Sequence, residues 1–555
     1  MPNSSSRDLL SKTLLLATLI IPIFILPFSA IDPINTPQLT SLVVAASICL
    51  GIIITSTNSI RWPRYKIVLL VLTAFLLDLL LVAVLSRANF GLEFYGTFGR
   101  NTGLLTYFSL SILMFTAIIL SSDLFLQKYV FVLITTGVIA TLYGLIQHFG
   151  FDPVPWDNIF SPVIGFLGNP NFQSALLGIT GVCVFGSLIT AAKSSLKFFL
   201  GSLFFLMLVF TIYQTNSKQG LLNLASGICV LLWIFVKEKG KKHFTRLVGV
   251  SMCLIGFIVA FGVFNYGPLA DVLFKRSISA RIFYWEAGWK MTTENPIFGV
   301  GLDNYGDWYR RARTIEATIE FGPDSVSDVA HNVLLDFSSN GGFPLLVIYL
   351  VIIIITLISI IKVIQRQSQF NQNHAMLVGA WVSYQVQSLV SINQLSLVFI
   401  GWVLGGVLIG YEISTRESDE KLTAIKSKKS KNQIQTEPKY VLVVFLSAIL
   451  GFLVGAQPMI SSVKFRSALE SGQIDKIKAS ARLFPLEPLR IYQVASILRD
   501  NKYEQDAAEV LEVGLQKFPE NYLLWRMLSE LPEIPTSQLA QVKEKLRILD
   551  PNNEL

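Results

Sequence analysis

The sequence predicts an all-α membrane protein, a polytopic helix bundle of about 13 spans with a C-terminal helical-repeat domain. Three observations predict it. Of the 555 residues, 52% are hydrophobic and only 15% are charged, where soluble domains carry roughly 25% charged residues. Apolar runs of about 17 to 20 residues, each long enough to cross a hydrocarbon core, recur along the chain as far as residue 456. Beyond Val463 the composition turns soluble and keeps a helical period. In lipid the runs must be helices, because every backbone polar group there needs an internal partner.

In chain order the expected spans are 14–30, 39–56, 67–85, 104–120, 129–146, 175–192, 198–213, 220–236, 247–264, 343–361, 375–392, 395–411 and 440–456. The first lacks a clear small-residue cleavage site, so it reads as a span and not as a cleavable signal peptide. Cys49, Cys183, Cys229 and Cys253 all fall within apolar runs, which suggests neither a disulfide framework nor a metal cluster. The net charge of +8 reads as a topology signal and not as a nucleic-acid signal. A cytoplasmic N-terminus puts Arg61, Arg64, Lys66, Lys128, Lys193, Lys197, Lys237, Lys239, Lys241, Lys242, Arg246, Lys362, Arg366 and the basic stretch 421–431 inside. The opposite loops 32–38 and 150–172 contain no Lys or Arg. An odd number of spans leaves the C-terminal tail outside.

Two outer segments break the lean pattern. Residues 87–103 carry Arg87 and Arg100, and the long loop 266–341 carries Lys275, Arg276, Arg281, Lys290, Arg310, Arg311 and Arg313. Basic residues on the outer side run against the export bias, which suggests a task for them there; a long loop that translocates regardless of charge is the plainer alternative. Asp78 lies alone within the third span, where a carboxylate is costly and often functional or paired. In the tail, Phe484-Pro485, Phe518-Pro519 and Leu549-Asp550-Pro551 recur close to the 34-residue period of tetratricopeptide repeats. The domains expected are therefore a membrane region 1–459 and a tetratricopeptide-like domain 460–555, the latter a platform for binding or packing.

Four outward stretches are polar and Gly-rich where lipid-facing sequence would not be: residues 95–103, 168–172, 216–220 and the long loop. The loop holds Arg281 ahead of Trp285 and Trp289, then Asn295-Pro296-Ile297-Phe298-Gly299-Val300-Gly301, and it closes on His331-Asn332 and Asn340-Gly341-Gly342. Among side chains that could act as a base, histidine titrates near neutral pH. Of the four histidines, the expected topology puts His243 and His374 on the cytoplasmic side, and His148 ends the fifth span as an interfacial side chain. His331 remains as the candidate, with a loop-fixing histidine as its structural alternative.

The order of an Arg-x-x-x-Trp helix, an Asn-Pro-x-x-Gly-x-Gly turn and a His-Asn pair before the next span resembles the O-antigen ligase/polymerase superfamily. The likeness runs from about Gly96 to Gly342 and is densest from Ser277. It implies a metal-independent, cofactor-free glycosyltransferase in a bacterial cell membrane. Such an enzyme moves a glycan from a polyprenyl diphosphate to a lipid, glycan or protein acceptor on the outer side, during cell-surface polysaccharide assembly. The likeness makes His331 the general base and Arg281 a catalytic and diphosphate-binding group. Lys218 stands where similar proteins carry Arg, keeping the charge and losing the bidentate fork; Arg100 supplies a third cation. Asn332, Ser217, Asn169 and Asn171 are supporting groups. Ligation, polymerisation of repeat units and transfer to protein hydroxyls share these parts. A transporter of lipid-linked sugars is the rival class, although such proteins place their binding groups near the membrane midplane. A non-catalytic scaffold would leave the outer Arg and His residues without a role. The tail could hold an acceptor or a protein partner.

Overall fold

The computed structural model describes residues 4–553 except 87, 157–160, 192–194, 241, 264, 269, 274–275, 367–368, 422–437 and 533–534. Arg87, Lys193, Lys241, Lys275, most of the basic stretch 421–431 and the expected span ends Ala192 and Phe264 lie outside the described residues. What is described is built of helices and short 3-10 turns, with no strand.

Nine helices among the described residues are long and apolar enough to cross a membrane, from Asn35–Thr55 to Leu395–Arg416; a tenth counts if Tyr440–Gly455 and Gln457–Ser471, bent by 52°, form one span. Of the other runs, Leu104–Leu120 and Ser4–Ile20 are shorter, at 17 residues each. Gln372–Val390 is diluted by Gln372, Asn373, His374, Ser383, Gln385 and Gln387.

Most ends lie within six residues of expectation, the helix expected to end at 411 runs on to Lys421, and two further boundaries differ. The first helix is Ser4–Ile20, not 14–30. Pro22 has no N–H to donate and disfavours helical geometry before it, so the chain turns there, and Leu26 N–H bonds the Pro33 carbonyl. The helix expected at 343–361 instead runs Val333–Arg366 across a kink at Gly342, whose φ is 72°. The stretch 333–341, expected as loop, is thus helical. Four further helices, Ala270–Leu273, Arg276–Glu294, Tyr305–Ala312 and Ile315–Phe321, lie within the loop 266–341.

Side chains tie the helix ends together at two opposite poles. At one pole Arg64 donates to the Ile413 carbonyl at 3.0 Å and Lys237 to the Ile364 carbonyl at 2.8 Å. There too Arg366 pairs with buried Glu412 at 2.8 Å, and Asn371 and Tyr411 both donate to Asp123. At the other pole Gln394 donates to Gln38, and Asn393 to Tyr107. Between them, the helix over Leu395–Arg416 is the most enclosed of the long apolar helices. Asp78 lies part-way along its helix, half-buried, with one carboxylate oxygen lacking a hydrogen-bond partner among the described residues.

The tail comprises Gln457–Ser471, Ile474–Ser480, Pro488–Asp500, Glu504–Lys517, Tyr522–Ser529 and Thr536–Leu549. Phe465, Val494, Leu498, Leu511 and Leu524 form its own apolar core, which Leu92 of the outer segment joins. Arg310 and Arg313 of the outer loop hold it in place. Both pair with Asp550, at 2.9 and 2.7 Å, and all three side chains are buried. The same guanidinium groups donate to the carbonyls of Pro323 and Ser325, and Arg311 pairs with Glu520 at 2.8 Å. All three arginines of this stretch are thus engaged by the tail.

Candidate active site

The helix Arg276–Glu294 brings Arg281 and, one turn on, Tyr284 to the same face. His331 comes to meet them. Its backbone is left-handed, with φ 55°, which is uncommon outside glycine, and its flanks hold it there. Asp336 accepts the Ala330 N–H at 2.7 Å, and Asn332 caps the next helix by accepting from Leu334 and Leu335. The imidazole then stacks on Tyr284, ring centres 5.6 Å apart and planes 28° off parallel. Neither ring nitrogen has a hydrogen-bond partner among the described residues. Burial, then the positive charges of Arg281 and Arg100, push the His331 pKa down to about 4 against the opposing pull of Asp328. The ring is thus neutral around pH 7 and open to a proton.

The two arginines near it differ in kind. Asp328 grips Arg100 with both oxygens, at 2.9 and 2.7 Å. Burial alone would raise the Asp328 carboxyl, but Arg100 outweighs it and holds it below the usual carboxylate range. Arg281 is half-buried, its pKa lowered by desolvation, and no carboxylate pairs with it among the described residues.

Two straps carry this cluster. Asp303 accepts from the Thr97 and Thr102 N–H groups, each at 3.0 Å, and from the Thr102 hydroxyl at 2.6 Å, which fastens the turn 95–103 to the loop. The turn 295–301 lies backbone against backbone on the kinked helix: Val300 and Gly301 donate to the Ser339 and Asn340 carbonyls, and Phe343 donates back to Pro296. Gly299 and Gly342, both at positive φ, stand where a Cβ would strike the facing main chain. Their service is close approach. Beside this strap, buried Glu93 accepts from Ser86 and the Leu302 N–H, and burial pushes its carboxyl up to about 7.

Lys218, Ser217, Asn169 and Asn171 form a second group. Asn169 caps the helix Pro170–Ile189, and the Ser217 hydroxyl donates to Asn171 at 2.7 Å. Lys218 is exposed on the first turn of its helix, beside that bond. Gln219 and Asn223 continue the chain by donating to Gln387, and Asn332 donates to the Leu389 carbonyl at 3.1 Å. Arg281, His331 and Arg100 therefore share one cluster, and the Lys218 group joins it through the helix Gln372–Val390. The remaining histidines stay apart: His148 packs against Phe149 and Phe210, His243 is exposed on the first turn of the helix Lys242–Val263, and buried His374 lies against Tyr411.

Sequence reasoning missed Tyr284, Asp328, Asp303 and Asp336. Tyr284 was signalled by its i+3 spacing from Arg281 and Asp328 by its place three residues before His331; Asp303 and Asp336 had no comparable local signal.

Residues 203–350 match the family model described as O-Antigen ligase. The matched stretch contains Lys218, Arg281, the turn 295–301 and His331; Arg100, Asn169, Asn171 and the tail lie outside it. No curated protein matches the chain. The match, together with the many long apolar helices, supports a multi-pass membrane protein of the O-antigen ligase/polymerase type.

Proposed function

We propose that this chain is a membrane glycosyltransferase that moves a glycan from a polyprenyl-diphosphate donor to an acceptor hydroxyl on the outer face of a bacterial cell membrane. One observation carries the reading: Arg281, half-buried and without an acid partner among the described residues, sits within electrostatic reach of a histidine held neutral, His331. A buried guanidinium without a counter-charge is costly, and an anionic ligand offsets that cost. His331 takes the proton from the acceptor hydroxyl as its oxygen bonds the anomeric carbon. The bond from that carbon to the phosphate oxygen breaks, and polyprenyl diphosphate leaves. Charge grows on the diphosphate during this step, where a fixed guanidinium is most effective. Arg281, helped by Lys218, holds the diphosphate. The bound anion also offsets Arg281, and so raises the basicity of His331 when the donor is present.

Arg100, already paired with Asp328, contributes by fixing the loop ahead of His331 and by adding positive potential. The N-terminus is cytoplasmic and about 13 segments cross the membrane; the outer loop and the tetratricopeptide-like tail lie on the outer side. The acceptor is a lipid, a glycan or a protein. Transfer in vesicles from a polyprenyl-diphosphate glycan, with the three acceptor types offered separately, tests the reading. His331→Ala abolishes transfer while expression is retained, and His331→Asn, which tolerates the left-handed backbone, does the same. Wild-type transfer by either variant removes the base assignment.

A further inference from the structure

Between the outer loop and the tail lies a cavity of about 250 Å³ whose walls come from both. That volume is below the roughly 300 to 1,000 Å³ of pockets for drug-sized ligands, and it suits a single six-membered sugar ring. The rim is apolar and partly open to solvent: Val326 is 46% exposed, Leu489 39% and Leu523 36%. The Tyr522 ring is braced by the guanidinium of Arg310, 4.2 Å away, which lines the cavity beside it. Polar groups converge between these apolar walls. Asn521 donates to one oxygen of Asp307 at 2.8 Å, and the other oxygen accepts no hydrogen bond from the described residues. Asp328, three residues before His331 and within its electrostatic reach, lines the same space.

We infer that this cavity binds a pyranose ring of the acceptor glycan, an assignment that rests on the transferase reading above. An aromatic and aliphatic rim suits the C–H face of a sugar, while a carboxylate accepts its hydroxyls and a side-chain amide completes the pair. A metal cation fits less well, because Asp303 and Asp328 already spend their oxygens on Thr97, Thr102 and Arg100. A lipid tail fits less well still, since it would leave Asp307 desolvated against hydrocarbon. Burial has already pushed the Asp307 carboxyl up to about 7, and a hydroxyl partner relieves it. The tail is then part of the acceptor site, supplying Pro488, Leu489, Asn521, Tyr522 and Leu523.

The experiment is saturation-transfer NMR on the full chain in phosphatidylglycerol nanodiscs, with free glucose, galactose and N-acetylglucosamine as probes. Leu489→Trp fills the rim at a partly exposed position, and Asp307→Asn removes the acceptor oxygen. Unchanged thermal melting shows that each variant is folded. The expected result is that at least one sugar binds the wild type and binds either variant at least tenfold more weakly. No binding of any sugar, or equal binding to all forms, overturns the inference. Transfer assays on the same preparations separate the two ideas. Transfer that survives in both variants with an unchanged acceptor requirement removes the sugar site and leaves the transferase standing. Sugar binding lost in the variants, with no transfer by the wild type, removes the transferase and leaves the sugar site.

Discussion

The outer loop spends its arginines in two different ways. On the side facing the tail, Arg310 and Arg313 are buried against Asp550 and also satisfy the carbonyls of Pro323 and Ser325. On the side facing the histidine, Arg281 is half-buried beside Tyr284 and His331, with no carboxylate paired to it among the described residues. The first arrangement is a finished ion-pair network, and such networks hold structure. The second is unfinished, and a site that must receive and release an anion has to be unfinished in this way. A charge-counting view of the loop would give all three arginines the same meaning; the carboxylate beside them separates anchoring from binding.

The anchored side is most vulnerable at Asp550. Removing one partner of a buried pair leaves an uncompensated charge and costs about 3 to 5 kcal/mol, and Asp550→Ala leaves two such charges, on Arg310 and Arg313. The tail is expected to release from the loop, seen as new cleavage by an added protease in outward-facing vesicles. Because Pro323 and Ser325 are held by the same guanidinium groups, the segment leading to Asp328 and His331 loosens with it and transfer falls. A tail that stays protease-resistant in this variant would show that the remaining contacts, among them Leu92 and the Arg311–Glu520 pair, hold the two parts together without Asp550.

Arg281 should behave in the opposite sense. Loss of a charge that acts on the transition state costs about 2.7 to 4 kcal/mol, or roughly 100- to 1,000-fold in rate. Stability should not fall with it, because Arg281→Ala removes a desolvated and unpaired charge. Arg281→Lys keeps the charge without the fork and recovers part of the rate. Loss of thermal stability in Arg281→Ala comparable to that in Asp550→Ala would place Arg281 among the anchors and end the contrast.

Much of this was legible in the sequence, and what was missed has physical reasons. Apolar runs reveal helices because lipid permits little else, so most of the long helices could be read directly. Pro22 moved the first one, since the mostly apolar stretch 23–30 beyond it looks like span in composition but not in hydrogen bonding. The helical stretch 333–341 was read as loop because its Asn-Gly-Gly end is turn chemistry; it survives as a kink, with Gly342 admitting Pro296 and Ile297 against its main chain. The site residues named from sequence were charged, ring-bearing or small polar groups in stretches between apolar runs, where they stand out from the background. Their partners were harder. Asp328 and Asp550 are ordinary surface carboxylates until the fold brings them to Arg100 and Arg313 across more than 200 residues.

The smallest effect is a change in pH dependence, and it reports on the unfinished side alone. His331 gains its proton near pH 4 in the folded chain instead of near 6.5, because burial and then Arg281 and Arg100 disfavour the imidazolium, with only Asp328 opposing them. The acid limb of kcat/KM reports the free enzyme, so it should lie near pH 4 to 5 and leave activity flat through 6.5. The effect on stability has the same sign: between about 6.5 and 4 the unfolded chain binds the proton that folded His331 refuses, and stability falls as pH drops through that window. Arg281→Gln removes one of the two repelling charges, and the limb should move upward, with each pK unit worth about 1.4 kcal/mol. Asp550→Ala, which touches neither Arg281 nor Arg100, should leave its position unchanged in whatever activity remains. A limb near 7 in the wild type would come from elsewhere, since burial holds the Glu93 and Asp307 carboxyls near that value; its disappearance in Glu93→Gln or Asp307→Asn would identify the source. A wild-type limb at 6.5 that ignores Arg281→Gln would mean that His331 does not sense the guanidinium, and the case for a base poised beside an unpaired arginine would fail.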